Sequence, residues 1–163
     1  MKNDEQYMLR AIELGEQARF CSPPNPWVGC VIVKNNRIIA EGHTQPPGKA
    51  HAEVTALNNA NGEAEGSTAY VTLEPCAHFG RTPPCTAALI KAKIKRVVIA
   101  VEDPDILVQG KGIAELKQAG IEVKIGVCSS EAKLSLRAYL HHRKTGKAYC
   151  LIKTAVKIGR ASC

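Results

Sequence analysis

Four side chains between positions 51 and 85 are of the kinds that bind a metal and move protons: His51, Glu53, Cys76 and Cys85. One imidazole and two thiols supply three ligands for a tetrahedral zinc. Three protein ligands leave the fourth position for water, as catalytic zinc sites do. Glu53 lies two residues from the imidazole, near enough to exchange protons with a water at that position without binding the metal itself. Taken singly, any of these residues is as well read as structure, since free cysteine often serves as a small buried hydrophobe. Together, with Pro75 and Pro84 directly before the two thiols, they read as one site. A closed structural zinc is the other reading; it needs a fourth protein ligand, for which His78 is the only obvious candidate nearby.

The composition bounds what such a site belongs to. A chain of 163 residues, 45% hydrophobic and 23% charged, is about one domain with a sizeable single core. No apolar run approaches the roughly 20 residues that span a bilayer. The start, Met1-Lys2-Asn3-Asp4-Glu5, lacks the apolar core of a signal peptide. The expectation is a cytoplasmic protein without membrane contact. The seven cysteines are odd in number and irregularly spaced, which argues against a secreted disulfide framework. Beyond Cys76 and Cys85, they read as structural or incidental. A net charge of +7 invites a nucleic-acid partner, but its distribution does not. Residues 1–131 carry 14 Lys and Arg against 15 Asp and Glu, whereas residues 132–163 carry 8 and none. The body holding the site is neutral, so no nucleic acid is expected there.

The elements that must position these residues follow from periodicity and punctuation. Residues 5–20 read as an amphipathic helix with Asp4 as N-cap. The run Cys21-Ser22-Pro23-Pro24-Asn25-Pro26 cannot be helix and leads into a strand from Trp27 to Val33. Lys34-Asn35-Asn36-Arg37 is a hairpin turn, because asparagine tolerates left-handed φ, and a second strand covers Ile38–Gly42. A helix over about 50–60, stopped by Asn61-Gly62, places His51 and Glu53 in its first turn, where free N–H groups and the positive dipole end face the site. Thr68–Leu73 is a strand, about 84–92 a helix opened by proline, Arg96–Val101 a strand, 110–119 a helix and Ile121–Ile125 the last core strand. Cys85, near a helix N-terminus, has its thiolate favoured. Residues 129–142 read as one further helix and Tyr149–Val156 as a new strand. The cations Lys34, Arg37 and Lys91–Arg96 read as solvated surface. The order gives an α/β fold, a mixed five-stranded sheet between layers of helices.

The motifs carry a resemblance. His51-Ala52-Glu53 with two proline-preceded thiols is similar to the signature of zinc nucleobase deaminases, H-x-E…P-C-x-x-C, except that eight residues separate Cys76 from Cys85. That longer loop, with Pro24-Asn25-Pro26-Trp27-Val28-Gly29-Cys30, Leu73-Glu74-Pro75-Cys76, Asp103-Pro104 and Gly110-Lys111-Gly112-Ile113, resembles the deaminase half of the bifunctional riboflavin-biosynthesis deaminase/reductases. The resemblance implies a three-layer cytidine-deaminase-like sandwich. It implies zinc on His51, Cys76 and Cys85, Glu53 as the proton carrier, and hydrolytic deamination of 2,5-diamino-6-ribosylamino-4(3H)-pyrimidinone 5′-phosphate. Asn25, Ala52 (through its N–H), His78, Arg81 and Asp103 become the substrate contacts, and Arg81 suits a phosphate because its fork pairs oxygens bidentately.

The resemblance further implies a homo-oligomer, dimer or tetramer. The deaminase domain then spans 1–145, and 146–163 are a linker and the start of an absent reductase half, to which NADPH would belong. The chain departs from the family pattern at Thr44, where the family carries His, and at Asp105-Ile106, where it carries Asn-Pro. The alternatives are a zinc deaminase of another base or nucleotide, tRNA included, a scaffold subunit, and an inactive fragment.

Overall fold

The computed structural model describes residues 2–80, 82–105 and 108–154. The hairpin forms as the two asparagines predict: Asn35 and Asn36 both hold positive φ, 52° and 60°, the backbone a two-residue hairpin turn requires. It joins β1 (Gly29–Lys34) to β2 (Arg37–His43). The other strands, β3 (Thr68–Leu73), β4 (Arg96–Val101) and β5 (Glu122–Ile125), complete a five-stranded sheet in the order β2-β1-β3-β4-β5. β1 is antiparallel to both neighbours, whereas β3, β4 and β5 run parallel. Each parallel crossover carries a helix: α3 (Cys85–Lys91) between β3 and β4, α4 (Lys111–Gln118) between β4 and β5. They share a layer with α2 (Ala52–Asn59), while α1 (Lys2–Gln17) packs with α5 (Ser129–Ser135). The core is the apolar sheet itself, with Val31, Ile32, Val71, Val97, Val98 and Ile99 fully buried. No helix among the described residues is long and apolar enough to cross a membrane.

This topology gathers the site at one edge. The carboxyl ends of parallel β3 and β4 point the same way, with Leu73 paired to Val101. Because β1 runs against β3, its beginning lies there too, and so does the end of β2, since Gly29 pairs with His43. Ligand sites of open α/β sheets lie outside such strand ends, where helices begin. α2 sits tightly on β2 because Gly42 faces it: a Cβ there would overlap the backbone of Ala52 and Ala56.

Four expectations change. The first strand begins at Gly29 rather than Trp27, because Val28 is bonded to Thr44 through its N–H and its carbonyl. The single helix over 129–142 is two, α5 and α6 (Arg137–Thr145), broken at Leu136, whose φ and ψ are −80° and 9°. The break buries Leu136, Tyr139 and Leu140 together. Residues 149–154 form no strand, there being no partner strand beside them among the described residues, and the remainder of that expectation, residues 155–156, lies outside those. Instead, Tyr149 packs its ring edge against His141.

Asp4, lastly, is no N-cap, since α1 begins at Lys2. Its carboxylate accepts from Tyr70 (2.8 Å), from both Arg96 guanidinium nitrogens (2.9 and 3.0 Å) and from Lys124 (2.8 Å). Arg96 is therefore a largely covered partner of α1, not solvated surface: its side chain is 21% exposed and that of Asp4 13%. One carboxylate thus pins α1 across β3, β4 and β5. Arg96, chiefly, holds the Asp4 carboxyl well below the usual range. A carboxyl lowered by folding stabilises the fold above its unfolded pKa, roughly 3.9, and loses that contribution as pH falls through the folded value. Asp4→Asn is expected to cost about 1–3 kcal/mol at pH 7. In urea titrations the gap from the parent should hold down to about pH 4 and shrink below it.

Candidate active site

His51 is the N-cap of α2, and Cys85 is the first residue of α3, after Pro84. Cys76 follows the end of β3 by three residues. The three come together: His51 Nδ1 lies 3.6 Å from Cys76 Sγ and 3.4 Å from Cys85 Sγ, and all three donor atoms fall within 4.8 Å of one another. Tetrahedral zinc with Zn–N near 2.0 Å and Zn–S near 2.3 Å separates nitrogen from sulfur by about 3.6 Å. The donor set fits zinc in both chemistry and spacing. The Cys85 N–H, a free donor at the start of α3, points at Cys76 Sγ from 3.5 Å, the outer contact that orients a ligating sulfur.

The two thiols titrate as a pair. A hydrogen bond from Cys85, and the imidazole beside it, push Cys76 down to about 4 against the cost of burial. Cys85 is pushed well up, by its bond to Cys76 and by burial. The first thiolate forms easily and the second needs a cation, which a coordinated dication provides. His78, the candidate fourth ligand, is not within the ligand group, so the closed structural site is not formed among the described residues.

Glu53, the second residue of α2, is buried at 4% exposure. Burial pushes its carboxyl up to about 7, and the Cys76 thiolate adds to this; a dication on the three ligands would pull it back down. It faces a cavity of about 250 Å³ with Asn25, His51, His78 and Asp103 on its walls. A neighbouring hollow of about 340 Å³ shares Asn25, His51, Cys76 and His78 and extends to Lys49 and Thr82.

The expected contacts sort as follows. Asn25 sits in a turn closed by its N–H on the Ser22 carbonyl and by the Ser22 hydroxyl on its own carbonyl; among the described residues its side-chain amide makes no hydrogen bond and is left for a ligand. Ala52 is fully buried at the start of α2. His78 lines both hollows, and Asp103, 4% exposed, lines the first. Arg81 lies outside the described residues. Thr44, where the resemblance puts His, is spent on the Val28 backbone, which fixes the same turn that presents Asn25.

Three residues went unnoticed in the sequence. Glu74, 4% exposed, accepts four backbone N–H bonds: from Gly112 (3.0 Å) and Ile113 (3.2 Å) on Oε1, and from Gly110 (3.1 Å) and Asp103 (3.3 Å) on Oε2. Tyr139 and Arg143, from α6, also line the cavity that Glu53 faces. The available signal for Glu74 was its place between a buried strand and a proline-cysteine pair; for the α6 residues, nothing local marks them.

The fold and these ligands define a class, the zinc-dependent deaminases of nucleobases and nucleotides. The chain belongs to the family described as cytidine and deoxycytidylate deaminase zinc-binding region, whose model matches residues 1–101. The diaminohydroxyphosphoribosylamino-pyrimidine deaminase of Buchnera aphidicola is 54% identical over 144 residues, 88% of this chain and 98% of that protein. The riboflavin biosynthesis protein RibD of Chlamydia pneumoniae is 51% identical over 152 residues, 93% of this chain and 40% of that one. A solved structure, Acinetobacter baumannii RibD, superposes with a TM-score of 0.86 at 52% identity, covering 89% of this chain and 41% of the other. The chain spans about 40% of the length of these RibD relatives.

Two outcomes follow from this geometry. Glu74→Gln keeps the shape but turns an NH2 toward two N–H donors, and should lower stability by about 2–4 kcal/mol in urea unfolding. Cys85→Ala should cut zinc, measured by atomic emission on protein purified in metal-supplemented buffer, from near one per chain to a small fraction of that.

Proposed function

We propose that this chain hydrolyses the 2-amino group of 2,5-diamino-6-ribosylamino-4(3H)-pyrimidinone 5′-phosphate, releasing ammonia and leaving 5-amino-6-ribosylaminouracil 5′-phosphate. The observation that carries the reading is a buried carboxylate, Glu53, beside a His/Cys/Cys group on the wall of one small cavity. The naming of the Buchnera relative, matched over nearly its whole length, supports the substrate.

His51, Cys76 and Cys85 would hold zinc, and the bound ion would supply Lewis acidity that makes water a competent nucleophile at neutral pH. Glu53 takes a proton from the water attacking C2 and passes it to the ring nitrogen. It then carries a second proton to the departing amine, so water is consumed and ammonia leaves. Its place beside the donor group and on the cavity wall serves this, because one carboxylate within reach of both water and ring can accept a proton and deliver it. The Ala52 N–H and the free Asn25 amide orient the ring, and His78 and Asp103 line its edges. Arg81 pairs with the phosphate.

The same reading makes residues 1–145 the deaminase domain and 146–163 the approach to a reductase half, with NADPH serving only that half. It also makes the enzyme a cytoplasmic homo-oligomer, dimer or tetramer.

Ammonia release from the ribotide, set beside cytidine and guanine under zinc, tests the substrate: turnover of the ribotide alone is expected, and turnover of another base in its place reassigns it. Glu53→Gln should retain zinc and lose about a thousandfold in kcat. Retained activity with zinc bound would remove Glu53 from the chemistry.

A further inference from the structure

The cavity lining has two origins in the chain. His51, Glu53 and Asn25 come from the part of the chain that the family model matches, residues 1–101. Other lining residues come from beyond it: Asp103 and Asp105 from the loop after β4, Tyr139 and Arg143 from α6.

These four are built as a unit. The buried Tyr139 hydroxyl donates to the Asp103 carboxylate, 3.0 Å from Oδ2 and 3.3 Å from Oδ1. The Asp105 N–H donates to Asp103 Oδ1 at 2.9 Å. Arg143 lies over the Tyr139 ring, its guanidinium carbon 5.4 Å from the centroid, and pairs with Asp105 at 3.3 Å. A buried carboxylate has about four lone-pair directions. Among the described residues two donors are supplied by the protein, Tyr139 and Asp105, which leaves acceptor capacity on a carboxylate that lines the cavity. Without the tyrosine hydroxyl, one backbone N–H remains among the described residues to hold the side chain, and χ2 of an aspartate is a broad, weakly restrained torsion.

We infer that Tyr139 is a positioning residue: delivered by the break at Leu136, its hydroxyl fixes the Asp103 carboxylate as an acceptor in the cavity that His51 and Glu53 also line, with Arg143 bracing both Tyr139 and Asp105. An acceptor so placed selects rings that carry N–H donors besides the amine that leaves, the class to which a diaminopyrimidine belongs. This deepens the proposed function and rests on it.

The test is Tyr139→Phe, which removes one oxygen and keeps the ring under Arg143. With zinc loaded, KM for the diaminopyrimidinone ribotide should rise about tenfold while kcat stays within twofold and the zinc content is unchanged; a merely structural loss would lower the melting temperature and leave KM alone. An unchanged KM overturns the inference. Crystal structures of parent and variant decide the same point without turnover. The Asp103 carboxylate should rotate in the variant, and an unmoved carboxylate overturns the positioning role. Should the parent fail to release ammonia from the ribotide, the substrate reading falls, and the crystallographic comparison alone decides Tyr139.

Discussion

Much of the site depends on how one buried carboxylate is satisfied. Glu74 ends β3 and sits two residues before Cys76, and taking its charge out of water would cost several kcal/mol without compensation. The four N–H groups that compensate it belong to the loop after β4 and the first turn of α4. Three of those donors, on Gly110, Gly112 and Ile113, would otherwise be orphans at a helix start. The same contact draws α4 so close that a Cβ on Gly112 would overlap the Pro75 carbonyl. A candidate metal donor and part of the cavity lining are thereby tied to one side chain: Cys76, two residues beyond Glu74, and Asp103, on the loop that Glu74 holds. A second tie, from the Thr86 N–H to the Cys76 carbonyl, sets the start of α3, and with it Cys85, in the same frame.

The grouping of His51, Cys76 and Cys85 was legible because candidate zinc donors are coded by type and by spacing. Few residues bind zinc, and proline before each thiol announces a chain that leaves a strand or opens a helix. The hairpin, the helix stops and the parallel strands were likewise local signals: Asn35 and Asn36 adopt the positive φ they were read for. The misses share a different cause. Asp4 was read as a cap from its immediate neighbours, but its partners are 66, 92 and 120 residues away. The solvated reading of Arg96 failed for the same reason. Periodicity over 129–142 could not show the break at Leu136, since both halves keep a helical pattern. Glu74, Tyr139 and Arg143 act only through pairings between distant elements, and no spacing rule reports those.

The departures from the family pattern make physical sense once their neighbours are known. Thr44 replaces a ring with a hydroxyl short enough to bond the backbone of Val28, and its gain is a fixed turn at Asn25. Asp105 brings a charge where the pattern has a neutral amide, and Arg143 stands 3.3 Å away to meet it. A change on the loop is thus matched by a residue on a helix 38 positions later, and the cavity gains no net charge from the pair.

Charge also explains why the site and the basic tail of the chain coexist without conflict. The metal group, once its thiols are ionised, balances a dication, and the remaining acidic side chains around the cavity are Glu53, Glu74, Asp103 and Asp105. Glu74 is consumed by backbone donors and Asp105 is paired with Arg143, which leaves Glu53 and Asp103 to face a substrate. Two acceptors in a small cavity favour a neutral ring bearing N–H groups and oppose an anion. The neighbouring hollow, which Lys49 reaches and which Glu53 and Asp103 do not line, has no acidic residue among its described lining. The cationic surplus beyond residue 131 contributes Arg143 to the cavity wall and leaves the interior acceptor-rich. The two hollows thus differ in charge while being joined at Asn25, His51, Cys76 and His78, which line both.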